Sequence, residues 1–113
     1  MSRVNYGTVD VCVGETTYVM KPTLKAMDKI QSRWPAAGLR GAIEACGALG
    51  ARDIAFVLAA GAGIGQTEAK DLPEIIFNEG TVNVAPKVVE YLALLINPTG
   101  KEDDEPEESP EGE

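Results

Sequence analysis

Apolar and polar residues follow two successive patterns along this chain, first with a period of two and then with a helical period. The valines of Val9–Val13 alternate with polar residues, and Thr16–Met20 continues with residue types that suit a pleated, half-buried surface. A glycine at the first position of the intervening Gly14-Glu15 pair allows the positive φ that a tight hairpin needs. The pattern therefore predicts an antiparallel hairpin over residues 9–20.

The residues after the hairpin predict an amphipathic helix. Pro22 cannot donate to a strand ladder, so the second strand should end near Lys21, and the Thr23 hydroxyl can cap the helix that follows. Pro35–Gly38 then breaks this helix. Its predicted apolar face recurs at helical spacing and consists of Leu24, Met27, Ile30 and Trp34.

Four further helices and a turn complete the predicted order of elements. A second helix runs from Leu39 to about Gly50, and a third over 53–60 is apolar nearly all round, as expected of a central buried helix. Thr67 can cap a further helical stretch over 68–79, but Pro73 falls inside it, so we expect a short turn followed by a helix over 73–79. Asn83 caps the last helix, whose apolar face comprises Val84, Val88, Tyr91, Leu92, Leu95 and Ile96.

These elements predict an α+β, mainly helical fold, in which an N-terminal antiparallel β-hairpin packs on a bundle of four to five short helices. Residues 1–100 are predicted to form a single domain, because a chain of this length can bury one modest core. No apolar run approaches the roughly 18 residues that cross a bilayer, and residues 1–6 lack the apolar part of a secretory signal. We therefore expect a soluble, intracellular chain.

The formal net charge of −8 lies almost entirely in one segment. Residues 101–113 contain eight acids and one lysine, so the other 100 residues contain ten acids and nine bases. A segment of this composition buries too little apolar surface to offset its ordering entropy, which predicts a disordered acidic tail over 101–113. The near-neutral remainder offers no support for binding nucleic acid through a basic patch.

Candidate chemistry is sparse, and we predict that the chain is not an enzyme and uses no cofactor or metal. It contains no histidine, which excludes the usual serine and cysteine triads. Cys12 and Cys46 are too few for a zinc site and are expected to be buried free thiols. The acids Glu68, Asp71 and Glu74 are expected to be solvated, and the glycine-rich 61–66 stretch lacks the Lys-Ser/Thr ending of a phosphate loop.

Several strings resemble the small tail assembly chaperones of siphophage-like particles, in particular a gene transfer agent tail protein group also labelled phage tail tube protein. The resemblance rests on Val9–Val11, Thr17–Met27, the arginine-aspartate element Ala51–Gly61 and the threonine-led Gln66–Glu68, and it covers about residues 4–97. It implies a bacteriophage, prophage or gene transfer agent protein without catalytic residues. Such a chaperone binds the tape measure protein in the cytoplasm of the host bacterium and is absent from the mature particle.

The implied partner is a long, helical, aggregation-prone protein, which requires a groove of small and aliphatic side chains. We predict that the second and last helices provide it, through Ala42, Ile43, Cys46, Leu49, Val88, Leu92 and Leu95. Many copies along one tape measure make weak contacts sufficient, so weak homo-oligomerisation is also expected, and the tail tube protein is a further candidate partner.

Two other functions compete with the chaperone. The chain could be a structural subunit of the tail tube or its adaptor, although a tube subunit normally needs more extended strand than one hairpin. It could also be a small regulatory adaptor, unrelated to phage, that binds a helix of some host protein.

Overall fold

The computed structural model describes residues 7–97, which form an antiparallel hairpin followed by helices, an α+β fold that is mainly helical as predicted. None of the helices in this part of the chain is long and apolar enough to cross a membrane. The predicted disorder of residues 101–113 lies outside the described residues. The elements are β1 Val9–Val13, β2 Thr16–Met20, α1 Leu24–Arg33, α2 Gly38–Gly47, α3 Ala51–Ala62, α4 Gln66–Ala69, α5 Leu72–Glu79 and α6 Thr81–Ile96.

The hairpin has the predicted turn, and its register follows from it. Val9 pairs with Met20 and Val13 with Thr16, and Gly14 has a φ of +64° at the first turn position. The valines at 9, 11 and 13 are all buried, because alternate side chains of β1 face the helices. β1 packs against α6 and β2 against α3, so the hairpin covers one side of the bundle.

α1 begins as predicted but buries a different stripe. The Thr23 hydroxyl accepts a hydrogen bond of 3.1 Å from the Ala26 amide, which caps the helix. Ala26 and Ile30 are buried, Met27 and Trp34 pack partly against the core, and Leu24 is 71% exposed. The prediction that Leu24 belongs to the buried face is therefore wrong, because the buried line of the helix passes through positions 26 and 30.

α3 is the central helix, as its apolar composition predicts. Seven of its residues are buried, and it contacts α1, α2, α5, α6 and β2. Its end is tightly packed: a Cβ placed on Gly61 would lie 2.8 Å from ring atoms of Tyr91 and 3.0 Å from the Met20 side chain. Gly63, with a φ of +72°, closes the helix in the left-handed conformation.

The hairpin, α3 and α6 meet at Lys21. Its amide donates a hydrogen bond of 3.0 Å to the Gly61 carbonyl, and its carbonyl accepts one of 2.5 Å from the Tyr91 hydroxyl. Burial raises the pKa of Tyr91 to about 12. The residue that leaves the hairpin is thus held by both neighbouring helices, which sets where α1 starts.

Three predicted helix ends are wrong. α2 ends at Gly47, and the left-handed residue after it is Leu49, with a φ of +69°, rather than Gly50. α6 begins at Thr81, and the side chain of Asn83 donates to the Glu79 carbonyl, 3.0 Å away, instead of capping the helix. Thr67 lies inside α4, which follows Gly65. In the last two cases a glycine just upstream, Gly80 or Gly65, already occupies the N-cap position.

Two predictions about individual side chains also need correction. Cys12 is exposed on the outer face of β1, whereas Cys46 is buried as predicted. Burial raises the pKa of Cys46 to about 12, with a further contribution from the charge of Asp53. The position of Phe77 near an apolar face predicts core packing for its ring; this is wrong, since Phe77 is 70% exposed and α5 buries Leu72 and Ile76 instead.

Candidate functional site

Most of the predicted partner-binding residues do not form an exposed surface. Five of them, Ala42, Cys46, Val88, Leu92 and Leu95, are buried. The physical reason is that α2 packs directly against α6, so the two apolar faces predicted to receive a partner cover each other. Only Ile43, which is partly buried, and Leu49, which is 41% exposed, retain surface from that set.

A different apolar surface lies where the start of α1 meets the end of α6. We call it the apolar groove; it has a volume of about 300 Å³. Two aliphatic side chains project from it, Leu24 at 71% exposure and Ile96 at 58%. The groove is lined by Pro22, Thr23, Leu24, Met27, Leu95 and Ile96.

The floor of this groove is held in place by the packing around it. Leu95 is buried in the core, while Thr23 caps α1 at the groove's edge. The hydrogen bond from Tyr91 to the Lys21 carbonyl ties α6 to the segment that enters α1. An apolar groove with fixed walls and exposed aliphatic rims can accept one apolar face of a helix.

A second concave surface runs along α1 and adjoins the apolar groove at Thr23, which lines both. It consists of two adjoining grooves of about 300 and 400 Å³, which share Lys29, Ala59 and Ile64. We call it the cationic cleft, because five basic residues and no acidic residue line it. The basic residues are Lys21, Lys25, Lys29, Arg33 and Arg52.

At one end of the cleft an arginine is held by an acid and two aromatic rings. Asp53 accepts hydrogen bonds of 3.1 and 2.9 Å from the Arg33 guanidinium through one carboxylate oxygen. The guanidinium carbon lies 5.5 Å from the ring centre of Trp34 and 5.1 Å from that of Phe56. These two rings contact edge to face, with centres 6.2 Å apart. The cluster joins the end of α1 to α3.

The glycine-rich stretch and the acids occupy the places their patterns predict. Residues 63–65 connect α3 to α4, and residues 61–65 form one wall of the cationic cleft. Glu68, Asp71 and Glu74 are exposed. Within residues 7–97 no three histidine, cysteine, aspartate or glutamate side chains are placed to hold a metal ion together.

Neither surface was identified from the sequence. The apolar groove was missed because Leu24 was assigned to the core, and helical spacing alone does not distinguish a covered side chain from an exposed one. The cationic cleft does have a sequence signal, since Lys21, Lys25, Lys29 and Arg33 recur every four residues. That spacing places the three cations of α1 on one helix face.

Comparison of the chain with protein-family models, with curated proteins and with solved structures finds no match.

Proposed function

We propose that this protein is a non-enzymatic tail assembly chaperone, which binds a tape measure protein and keeps it soluble until the tail tube polymerises around it. The proposal is supported by the resemblance of the hairpin, the arginine-aspartate helix and the threonine-led helix to such chaperones. Among the observed surfaces, the apolar groove carries it. An aliphatic rim of Leu24 and Ile96 over an apolar floor suits an amphipathic helix.

The size of the groove favours weak, repeated binding. Burying one aliphatic side chain contributes about 1.5–3 kcal/mol before the costs of association, so two rim residues support only a low affinity per copy. A long tape measure helix offers many equivalent apolar stretches, and bound copies that also contact one another gain avidity. This arrangement permits displacement by tube subunits without a dedicated release step.

The proposal is tested by co-expressing the full chain with the tape measure protein encoded nearby. We expect the tape measure to stay soluble and to co-purify with this protein. Leu24→Asp or Ile96→Asp should abolish both effects. Val82→Asp is the matched control, because Val82 lies on the same helix as Ile96, has a similar exposure of 62%, and does not line the groove.

Two results would count against the proposal. An insoluble tape measure with no complex would contradict the chaperone function itself. Equal loss of binding in Val82→Asp and Ile96→Asp would instead show that the apolar groove is not the binding surface. Mass spectrometry of purified particles separates the structural alternative, because a tube or adaptor subunit would be present there in many copies.

A further inference from the structure

We propose that the acidic segment of this chain, residues 101–113, docks in the cationic cleft of the same molecule. This inference concerns a different surface from the apolar groove and does not depend on the proposed function. It rests on three observations. The cleft has unpaired positive charge, and the segment carries the opposite charge. The described chain ends at α6, whose last turn lies beside the start of α1 and of the cleft.

The cations of the cleft are largely unpaired within residues 7–97. Arg33 is bonded to Asp53, but the side chains of Lys21, Lys25, Lys29 and Arg52 make no ion pair there. All five are exposed. No acidic residue lines the cleft, so apart from the Asp53 pair of Arg33 the row of like charges along α1 has no counter-charge and attracts an external anion.

The acidic segment matches this row in charge. Residues 101–113 carry a net charge of −7, and six of the eight acids fall within residues 102–108. Fully extended, those seven residues span about 23 Å. The cations from Lys25 to Arg33 extend over about 12 Å of helix, so this acidic run is long enough to lie along the whole row.

The path of the chain brings the two together. Leu95 and Ile96 line the same groove as Leu24, so α6 ends beside the start of α1. Residues 98–101, between the last described residue and the first acid, can span up to about 13 Å. Lys25 is one residue from Leu24, at the near end of the cationic row. No reversal of the chain around the bundle is needed.

The energetics predict a reversible contact. Each exposed ion pair contributes little, about 0–1 kcal/mol. A short tether, however, holds the segment near its site at an effective concentration in the millimolar range. Docking should therefore be populated at low ionic strength and lost at high salt, because exposed charges are screened. The docked segment would exclude other acidic ligands from the cleft.

Paramagnetic relaxation enhancement in the full-length protein tests this inference. A nitroxide is attached to Ser109→Cys in a Cys12→Ser background, while Cys46 remains unlabelled because it is buried. We expect loss of amide signal intensity over Lys25–Arg33 at about 0.01 M salt and its recovery at about 1 M, where the Debye length falls from about 30 Å to about 3 Å. The exposed α6 position Lys87 should be unaffected under both conditions.

A pair of charge-matched variants separates this site from general attraction. Lys21→Gln, Lys25→Gln and Lys29→Gln combined should remove the loss of α1 signal. The control combines three substitutions at exposed cations outside the cleft and should retain that loss; it consists of Arg40→Gln, Lys70→Gln and Lys87→Gln.

Three outcomes would overturn the inference. Unchanged α1 intensities at low salt would mean that the cleft does not hold the segment. Equal loss of the effect in both triple variants would indicate attraction to overall charge. A mixture of spin-labelled, unenriched protein with unlabelled ¹⁵N-enriched protein detects contacts between molecules. If the α1 signals were lost in that mixture to the same extent, the occupant would be the segment of a second copy.

Discussion

Gly61 offers the sharpest test of the packing, because two opposing effects act on one substitution. In a helix interior, replacing glycine by alanine normally stabilises a protein by roughly 0.5–1 kcal/mol. Here the added Cβ would lie 2.8 Å from two ring atoms of Tyr91 and 3.0 Å from Met20 Cγ, where ordinary contact begins at 3.4 Å. The ring would have to move by several tenths of an ångström.

The surroundings of the ring resist that movement. Tyr91 is fully buried, and its hydroxyl is bonded to the Lys21 carbonyl at 2.5 Å, while the Lys21 amide is bonded to Gly61 itself. Overpacking of this kind costs about 1–3 kcal/mol. Subtracting a helical gain of about 0.5–1 kcal/mol leaves a loss in the free energy of unfolding of about 0–2.5 kcal/mol for Gly61→Ala. The middle of that range, about 1 kcal/mol, corresponds to several degrees in Tm.

Urea denaturation followed by the fluorescence of Trp34, the single tryptophan, measures this effect. Gly47→Ala is the control, because a Cβ at that exposed helical position meets no atom within 4 Å. It should leave stability unchanged or raise it. If Gly61→Ala raised the free energy of unfolding by the full helical gain, as is expected where a Cβ meets open space, the close approach of α3 to α6 described here would be wrong.

Three further predictions concern capping, titration and the arginine cluster. Thr23→Ala should lower the free energy of unfolding by about 1 kcal/mol through loss of the cap, whereas Thr67→Ala, which removes no cap, should change it little in the same urea assay. Tyr91 and Cys46 both have a raised pKa of about 12 in the folded state, and the unfolded chain releases these protons first. Urea midpoints should therefore be constant below about pH 9 and fall progressively towards pH 12; midpoints that rise over this range would contradict the assigned burial. Asp53→Asn should cost under about 1 kcal/mol, since its ion pair is partly exposed, and should lower the Cys46 pKa, which thiol titration of the folded protein would detect.

Local patterns predicted the elements well where one residue type decides the conformation. Gly14 determines the hairpin turn, and Thr23 provides the cap predicted for α1. The continuous apolar composition of α3 also correctly identified the central helix. Helix ends were less predictable where two candidate N-cap residues lay close together, as with Thr67 after Gly65, because a helix has only one N-cap.

The apolar surfaces could not be predicted in the same way. The stripes on α2 and α6 are correct except at their ends, where Leu49 and Ile96 are exposed. Periodicity does not say what covers a stripe, and here each covers the other. A partner can contact only the apolar side chains that stay exposed after the helices have packed against one another. Leu24 and Ile96 remain exposed because they lie at the ends of α1 and α6, beyond the reach of the packing that buries Ile30 and Leu92.

The net charge also failed to predict a surface, because it does not show where the charged residues lie in the fold. The near-neutral total of residues 1–100 argued against a basic patch, yet five of the ten basic residues of the chain line one cleft. A net charge contains no information about position. The four-residue spacing from Lys21 to Arg33 does, and it can be read from the sequence. Acids are concentrated in the same way, with eight of eighteen within residues 101–113. Because exposed like charges repel when they are gathered, two such concentrations of opposite sign attract each other, and this attraction is the physical basis of the docking that we propose for residues 101–113.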